Sequence, residues 1–450
     1  MSSSTETHAG PQLRRALTLW DLILYGVIVI QPTAPMSIFG VLSNRGHGHV
    51  VTTVLIAMVA MMFTAISYGR MARAYPSAGS AFTYVGQEIN PALGYITGWS
   101  MVMDYMLNPI ICTIWVSSQA NIFAPAIPVW VWEILIALLF TWLNILGIRT
   151  SARINAGLAT GMGVVILIFF VTAARYIFGH AHGLASFTRP FYDPASWNTG
   201  AVLGGTSIAV LTYIGFDGIS TLSEEAENPR RNILLATVMT CLVIGLLSAA
   251  EVYFAQLLWP ASQPFPDENT AFVAAAGRAW APMLTIVGFT LIVANFGSGM
   301  GAMIGAARLL FGMGRSNALP KSFFGAIDPK RHVPRNNVLF VGAVTLIGAF
   351  ILTFDFGVEM LNFGALIAFM GVNAAALIRY YFRENQKKLT NLIPPVLGFL
   401  ICALLWWNLS VKAKIAGSIW MAVGIAFGAW KTRGFRGELV NFDIPGENET

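Results

Sequence analysis

Apolar residues in this chain do not alternate with polar ones; they run. Twelve predominantly apolar stretches of about twenty residues, the length a helix needs to cross the hydrocarbon of a bilayer, are read at 19–42, 50–69, 94–117, 129–147, 155–178, 200–221, 233–259, 282–311, 336–354, 357–380, 392–409 and 413–430. Polar loops separate them, so the pattern predicts twelve transmembrane helices. The sixth stretch, with its flank at 204–231, organises the rest: it loosens at Gly215-Phe216-Asp217-Gly218 and ends in an acidic and then a basic cap. An ionisable residue set between glycines inside a hydrophobic span costs free energy that a merely structural helix has no reason to spend. Backbone freed from its helical ladder at bilayer depth survives only where it lines a cavity or is buried in protein. The first stretch carries a matching interruption, Gln31-Pro32-Thr33-Ala34-Pro35. Such paired interruptions point to a substrate site between two repeats; the competing reading is a proline kink and a packed glycine in a channel or receptor bundle.

Composition agrees with a lipid-solvated chain. Of 450 residues 56% are hydrophobic and 11% charged, against about 25% charged in soluble proteins, and the mean hydropathy is +0.65. The pI near 9.3 does not point to nucleic acid, because the basic residues sit in short loops. With the N-terminus in the cytoplasm, 21 of the 27 Lys and Arg fall on that side. The other six, Arg45, Arg175, Arg189, Arg278, Lys412 and Lys414, fall outside. This asymmetry predicts both termini in the cytoplasm. Trp130, Trp132, Trp197, Trp259, Trp280, Trp406 and Trp407 cluster near span ends as an interfacial belt. Cys112, Cys241 and Cys402 lie in separate spans and are expected as free thiols. Residues 1–11 are polar, so no cleaved leader is expected. The loop 262–280 reads as an outer segment with a short helix, the basic loop 315–335 as a solvated linker, and residues 1–10 and 437–450 as polar tails.

Chemistry-bearing residues are few. No phosphate-cradling loop, metal cluster, cofactor site or nucleophile set has convincing spacing, so no enzyme is predicted. Gly297-Ser298-Gly299-Met300-Gly301 lies inside a span, where small residues serve helix packing, and His47 and His49 make no convincing metal site. At the first interruption Thr33, Ala34, Met36 and Ser37 offer amide groups at the start of a half-helix, whose dipole favours anions. Pro32 and Pro35 cannot contribute, and the freed carbonyls suit ammonium groups or cations. Among the acids, Asp104 sits mid-span beside Tyr105, Asn108 and Pro109; Asp217 sits in the second interruption; Glu133 lies near a span end; and Glu251 has no basic residue at comparable depth in its span. A membrane carboxylate of this kind either meets a cation, substrate included, or carries protons. Asp104, Asp217 and Glu251 are therefore the proton-coupling candidates, with packing, capping or a neutral structural acid as the alternative roles. Tyr213 and Phe216 are candidates to close over a ligand or to hold an ammonium by cation–π contact, although aromatics in apolar helices more often pack.

Several runs together resemble a known family. They are Tyr213-Ile214-Gly215-Phe216-Asp217 with Leu222-Ser223-Glu224-Glu225 and Asn228-Pro229, the run from Tyr75-Pro76-Ser77-Ala78-Gly79 to Tyr84, Gly98-Trp99-Ser100 with Asp104-Tyr105, Ala307-Arg308-Leu309-Leu310 with Met313-Gly314-Arg315 and Leu319-Pro320, and Leu361-Asn362-Phe363-Gly364-Ala365-Leu366. In this order they resemble the amino acid, polyamine and organocation superfamily of permeases, and within it the bacterial putrescine-importer-type and amino acid permeases.

The resemblance implies an all-α, leucine-transporter-type fold. Two inverted repeats of five spans, about 19–178 and 199–381, would form a transport core at 19–381. Peripheral spans would follow at 392–432, with cytoplasmic tails at 1–18 and 433–450. Substrate would lie between the first and sixth spans, touched by Gln31, Thr33, Ala34, Met36, Ser37, Asp104, Asn108, Leu211, Tyr213, Ile214, Phe216 and Asp217, with Tyr213 and Phe216 as gate. Two departures matter. Pro32 and Pro35 interrupt the small-residue pattern that cradles a carboxylate in the family, which favours an amine, whereas Ser37 stands where the putrescine-importer pattern has an acid. The fifth span has Met162 near the place where some sodium-independent relatives carry a lysine, so the coupling ion stays open. The implied function is secondary transport of an amino acid or polyamine-like amine across the inner membrane by alternating access, proton-coupled or exchanging. A neutral amino acid transporter holding its carboxylate on the amides of Thr33, Ala34 and Met36 is the first alternative, and a channel or receptor of the same span count the second. Partners are the substrate, H+ or exchanged substrate, and the bilayer; oligomeric state is left open.

Overall fold

The computed structural model describes residues 17–75, 80–146, 152–180, 183–222, 226–315, 318–328, 331, 333–432 and 434. Both tails, Pro76 to Gly79 and Ser223 to Glu225 therefore fall wholly or largely outside the described residues. The helices are α1 Leu19–Ile30, α2 Ala34–Arg45, α3 Val50–Ala74, α4 Ser80–Glu88, α5 Pro91–Phe123, α6 Val129–Leu146, α7 Ala152–Gly179, α8 Leu184–Thr188 and α9 Thr199–Ala209. After two 3-10 turns, Val210–Tyr213 and Phe216–Leu222, come α10 Pro229–Leu258, α11 Ala271–Ala279, α12 Pro282–Arg315, α13 Lys321–Phe324, α14 Arg335–Ile351, α15 Phe354–Leu377, α16 Leu389–Trp407 and α17 Val411–Lys431. Among the described residues there is no strand, only one isolated bridge between Leu17 and Ala226.

Local sequence explains the helix ends. Thr18 and Asp21 form a reciprocal capping box at α1, with Thr18 N–H donating to Asp21 Oδ2 at 2.9 Å. Asn90, followed by Pro91, accepts the Leu93 amide at 2.9 Å and starts α5. Every apolar stretch read from the sequence is helical over most of its length. Nine helical segments among the described residues are long and apolar enough to cross a membrane. Many of their large apolar side chains face outward, among them Trp130, Leu138, Trp142, Leu167, Ile419 and Trp430. A soluble protein would hide that surface; here lipid takes the place of a second layer, and the chain is a multi-pass membrane protein.

Two helices form the centre. α3 packs against α10, α15, α16 and α9, while α5, about 50 Å long, packs against α15, α12, α6 and α14. Small residues permit this. A methyl group added at Gly364 of α15 would lie 2.5 Å from the Ser100 carbonyl oxygen of α5, a close approach of the kind that holds helices together where no hydrophobic effect is available. Gly299 likewise faces Phe140 and Cys112, whereas a methyl at Gly297 or Gly301 would meet nothing, so within the glycine-rich tract of α12 only Gly299 shows the expected packing role. The three cysteines are buried free thiols. α17 is fastened to α5 by Trp99 and Trp420, stacked at 4.7 Å, each indole N–H donating to the other's carbonyl at 2.8 and 3.1 Å.

The structure adds what periodicity did not predict. α4, between the second and third apolar stretches, buries Ser80, Ala81, Thr83, Tyr84, Val85, Gly86 and Glu88 against the bundle. α5 extends beyond 94–117 at both ends, and the last turn after α15, Ile378–Arg383, is π-helical. The short helix expected in the loop 262–280 is present as α11, and what is new is its packing on α12, α10, α2 and α7.

Candidate functional site

Between α1 and α2 the chain leaves the helix at Gln31-Pro32-Thr33. Gln31 takes φ 68°, ψ 118°, a region that a side chain tolerates only where its surroundings over-determine it. Those surroundings are α12 and α7: Gln31 Nε2 donates to the Ala294 carbonyl at 2.6 Å, Asn295 Nδ2 donates to Ser37 Oγ at 2.9 Å, and Thr33 Oγ1 lies 3.6 Å from Met162 Sδ. Pro35 then opens α2, where its missing N–H is not needed. Thr33, Met36 and Ser37 are buried and Ala34 half-buried. The expectation that the amides here stand open to an anion fails for Ala34 and Met36. The Ala34 N–H is taken by the Gln31 carbonyl and the Met36 N–H by the Thr33 carbonyl, both at 3.1 Å. Once the chain turns tightly enough to enter α2, its own carbonyls come within reach of these donors.

The second loosened stretch follows α9. A 3-10 turn to Tyr213 leads into Ile214 and Gly215, the latter at φ +117°, which a Cβ would make strained. The second 3-10 turn then carries Asp217, 7% exposed, with the backbone amides of Gly215, Asp217 and Gly218 against its carboxylate. The two aromatic side chains pack on α3 and α15. Tyr213 Oη donates to the Val54 carbonyl of α3 at 2.9 Å, and Phe216 packs edge-on to Tyr68 at 5.4 Å and beside Phe369 at 5.3 Å. Leu211 and Ile214 are only partly buried.

Asp104 comes from the middle of α5. It is 8% exposed, and among the described residues no donor hydrogen-bonds its carboxylate. Asp217 is its electrostatic neighbour, and both carboxylates act on Tyr68 and Tyr105. Asn108, one turn on, accepts the Cys112 thiol at 3.4 Å, and Pro109 interrupts the α5 hydrogen-bond ladder beside it. Close packing gathers these groups. Gly26 of α1 lies where a methyl would meet Ile219 at 2.5 Å and Thr240 at 2.7 Å, so α1 seats directly on the second 3-10 turn and α10. Glu251 stands apart from the Asp104–Asp217 pair: it is fully enclosed in α10, and among the described residues neither carboxylate oxygen has a hydrogen-bond partner. Glu133 is half-buried in the first turns of α6.

Sequence reading missed Tyr68, Ala294 and Asn295. Asn295 left a signal, an isolated amide inside an apolar run; Tyr68 is indistinguishable in sequence from any packed aromatic. Among the described residues no cluster of His, Cys, Asp and Glu fits a metal ion.

Residues 31–435 match the family model described as "Amino acid permease". The chain belongs to the amino acid permease family. The permease is 33% identical over 444 residues to the low-affinity putrescine importer PlaP of Escherichia coli (strain K12), covering 96% of this chain and 97% of that protein. It is 27% identical to the branched-chain amino acid permease BcaP of Lactococcus lactis subsp. cremoris, over 93% of this chain and 94% of that one. With cationic amino acid transporter 6, chloroplastic, of Arabidopsis thaliana it shares 26% identity over 84% of this chain and 68% of that protein. The resemblance read from the motifs is thus borne out, and these relatives are transporters: the protein is a permease, not an enzyme.

Proposed function

We propose that the permease carries a small organic amine or amino acid across the inner membrane by alternating access, with the substrate ammonium paired to Asp104. The carrying observation is the contrast between the two central acids. Asp217 has backbone amides around its carboxylate, whereas Asp104, its electrostatic neighbour, has no hydrogen-bond donor and no cationic partner among the described residues. A buried carboxylate in that position is complementary to an ammonium that arrives from outside. In this reading the twelve helical stretches all cross the bilayer, 19–178 and 199–381 are inverted repeats of five spans, 392–432 is peripheral, and both termini are cytoplasmic. The departures from helix at Gln31–Thr33 and at Val210–Leu222 are where one repeat rocks against the other. Gln31, Thr33, Ser37, Asn108, Leu211 and Ile214 line the site; Asp217 holds the shape of the second turn; Asp104, Asp217 and Glu251 are the carboxyls available to carry a coupled proton.

The similarity to a putrescine importer supports an amine, and the occupied Ala34 and Met36 amides weigh against a neutral amino acid gripped by its carboxylate. Counterflow in proteoliposomes tests the reading. Unlabelled putrescine inside should accelerate entry of labelled putrescine, with saturation, and alanine should compete poorly. Flux linear in concentration and indifferent to internal substrate would point to a channel; strong competition by alanine would favour the neutral amino acid reading.

A further inference from the structure

The corner where α2 ends and α3 begins is fastened to a distant segment through one histidine. His49 is fully enclosed, and both ring nitrogens are engaged: Nδ1 lies 2.9 Å from the Gly46 carbonyl oxygen, and Nε2 accepts the Asp193 backbone N–H at 3.1 Å. A carbonyl can only accept and an amide N–H can only donate, so Nδ1 carries a proton and Nε2 does not. The ring is neutral and in one tautomer. The turn holds it there: His47 and Gly48 take φ 50° and 83°, and the Gly46 carbonyl also accepts the His49 amide at 3.0 Å. Trp197 lies perpendicular to the imidazole at 5.0 Å, with Tyr192 against Trp197 at 5.1 Å. Two further bonds run alongside, from the Val51 amide to the Pro190 carbonyl at 3.1 Å and from Thr52 Oγ1 to the Phe191 carbonyl at 2.6 Å. The fastened segment, 190–197, leads directly into Asn198, the cap of α9. α9 sits on the same corner: a methyl added at Gly205 would lie 2.9 Å from Thr53 Cγ2 and 3.0 Å from Gly46 Cα. Because α2 follows the Gln31–Thr33 interruption and α9 precedes the one at Val210–Leu222, this corner joins the far ends of both.

Of the three bonds to the segment, only the one at His49 is cancelled by a proton. An imidazolium has two donors and no acceptor, so a second proton on the ring sets an N–H against the Asp193 amide and ends that bond. The titratable and charged groups on the surrounding elements are few. The α2–α3 turn carries Arg45, which pairs with Glu359, and His47. The segment itself carries Asp193, whose carboxylate accepts the Ala195 amide at 3.1 Å and lies 3.5 Å from Arg189 Nε. α10 brings Tyr253 against Phe191 at 5.5 Å, and α9 has none. We propose that His49 is a proton-operated latch: when its ring takes up a second proton, segment 190–197 comes free of α3 and the lead-in to α9 is released with it. The released form holds the additional proton, so by linkage the latch is closed at high pH and opens as pH falls.

Hydrogen–deuterium exchange of the purified full-length permease in detergent tests the latch, with labelling times scaled to equal chemical exchange at about pH 8 and about pH 5, the interval over which imidazoles change charge. Peptides containing Val51 or Asp193 should exchange about tenfold faster at the acid end, while the α5–α17 contact at Trp99 and Trp420 keeps its protection. His49→Gln, whose amide can donate to Gly46 and accept from Asp193 without titrating, should abolish the change. Asp193→Asn should keep it, which separates the ring from the neighbouring carboxylate. Should His49→Gln fail to fold, mass-spectrometric exchange of the imidazole C2 hydrogen in the parent decides, because the His49 rate must change over the same pH interval as the segment. Equal protection at both pH values overturns the proposal. So does an acid-induced opening that survives in His49→Gln, vanishes in Asp193→Asn, or proceeds without change at the His49 C2 hydrogen. The latch involves neither Asp104 nor a substrate, and counterflow at about pH 8 is measured with it closed, so the two proposals fail independently.

Discussion

Two buried carboxylate sites in this permease show how differently a bundle treats the same chemical group. Glu88, at the end of α4, is completely enclosed and completely answered: it accepts from Tyr75 Oη at 2.7 Å, Arg379 Nη1 at 2.5 Å and Arg383 Nη1 at 2.9 Å. That knot joins the end of α3, α4 and the π-helical turn after α15, and Arg70 extends it to the start of α16 through Asn391 Oδ1 at 3.1 Å. Asp104, at the centre, is nearly as buried and has no hydrogen bond among the described residues. Desolvating a charge is tolerated when donors replace the lost water; Glu88 has them, and its cost is met within the fold. Asp104 lacks them, and in the proposed mechanism the substrate supplies what is missing. One acid is therefore a fastening and the other, in that mechanism, a place for a cation, although only Asp104 stands out in sequence as an acid inside an apolar run.

The comparison can be broken by exchanging the expected phenotypes. Asp104→Asn should lower putrescine uptake about a hundredfold, as loss of one member of an enclosed charge pair does, while the thermal midpoint in detergent stays near that of the parent. Full uptake at equal surface expression would end the counter-ion role. Glu88→Gln should do the reverse, costing about 2 kcal/mol of stability because Arg379 and Arg383 lose their common partner yet remain partly hydrated. Thermal unfolding in detergent measures it, and an unchanged midpoint would mean that the knot does not hold the fold together. Tyr75→Phe removes one bond to the same carboxylate and should cost about 1 kcal/mol. Burial, and then the bond to Glu88, push the Tyr75 hydroxyl up to about 12, so this bond should be indifferent to pH across the range of transport assays.

The smallest effect concerns Glu268, whose carboxyl burial raises above its ordinary range, with Asp355 and Asp267 adding to the shift against Asn44 and Arg45. A raised acid favours the protonated folded form. Its contribution is therefore complete below the ordinary carboxylate value and is lost as pH rises through the raised one. Glu268→Gln should flatten that slope in a series of thermal midpoints between acid and neutral pH; a slope identical to the parent would exclude Glu268 as its source.

Much of the architecture was legible because a membrane helix writes itself into one dimension. Twenty apolar residues in a row have few other solutions in lipid, so the helical stretches and the free cysteines could be read directly, and the ordered motifs carried the family; of the Gly297–Gly301 tract only Gly299 packs as expected. Asp104, Asp217 and Glu251 were visible for the same reason, as charges where charge is expensive. What the sequence could not reveal is which neighbour each one meets. Amides expected to stand open at Ala34 and Met36 are closed by carbonyls three residues back; Tyr213 and Phe216 turn to α3 and α15; Glu88, unremarked among loop residues, becomes an acid held by three side-chain donors. Hydropathy is a property of each residue alone and survives in any order of helices. Hydrogen bonds and ion pairs depend on ångström-scale approach between segments hundreds of residues apart, and only the packed bundle decides those distances.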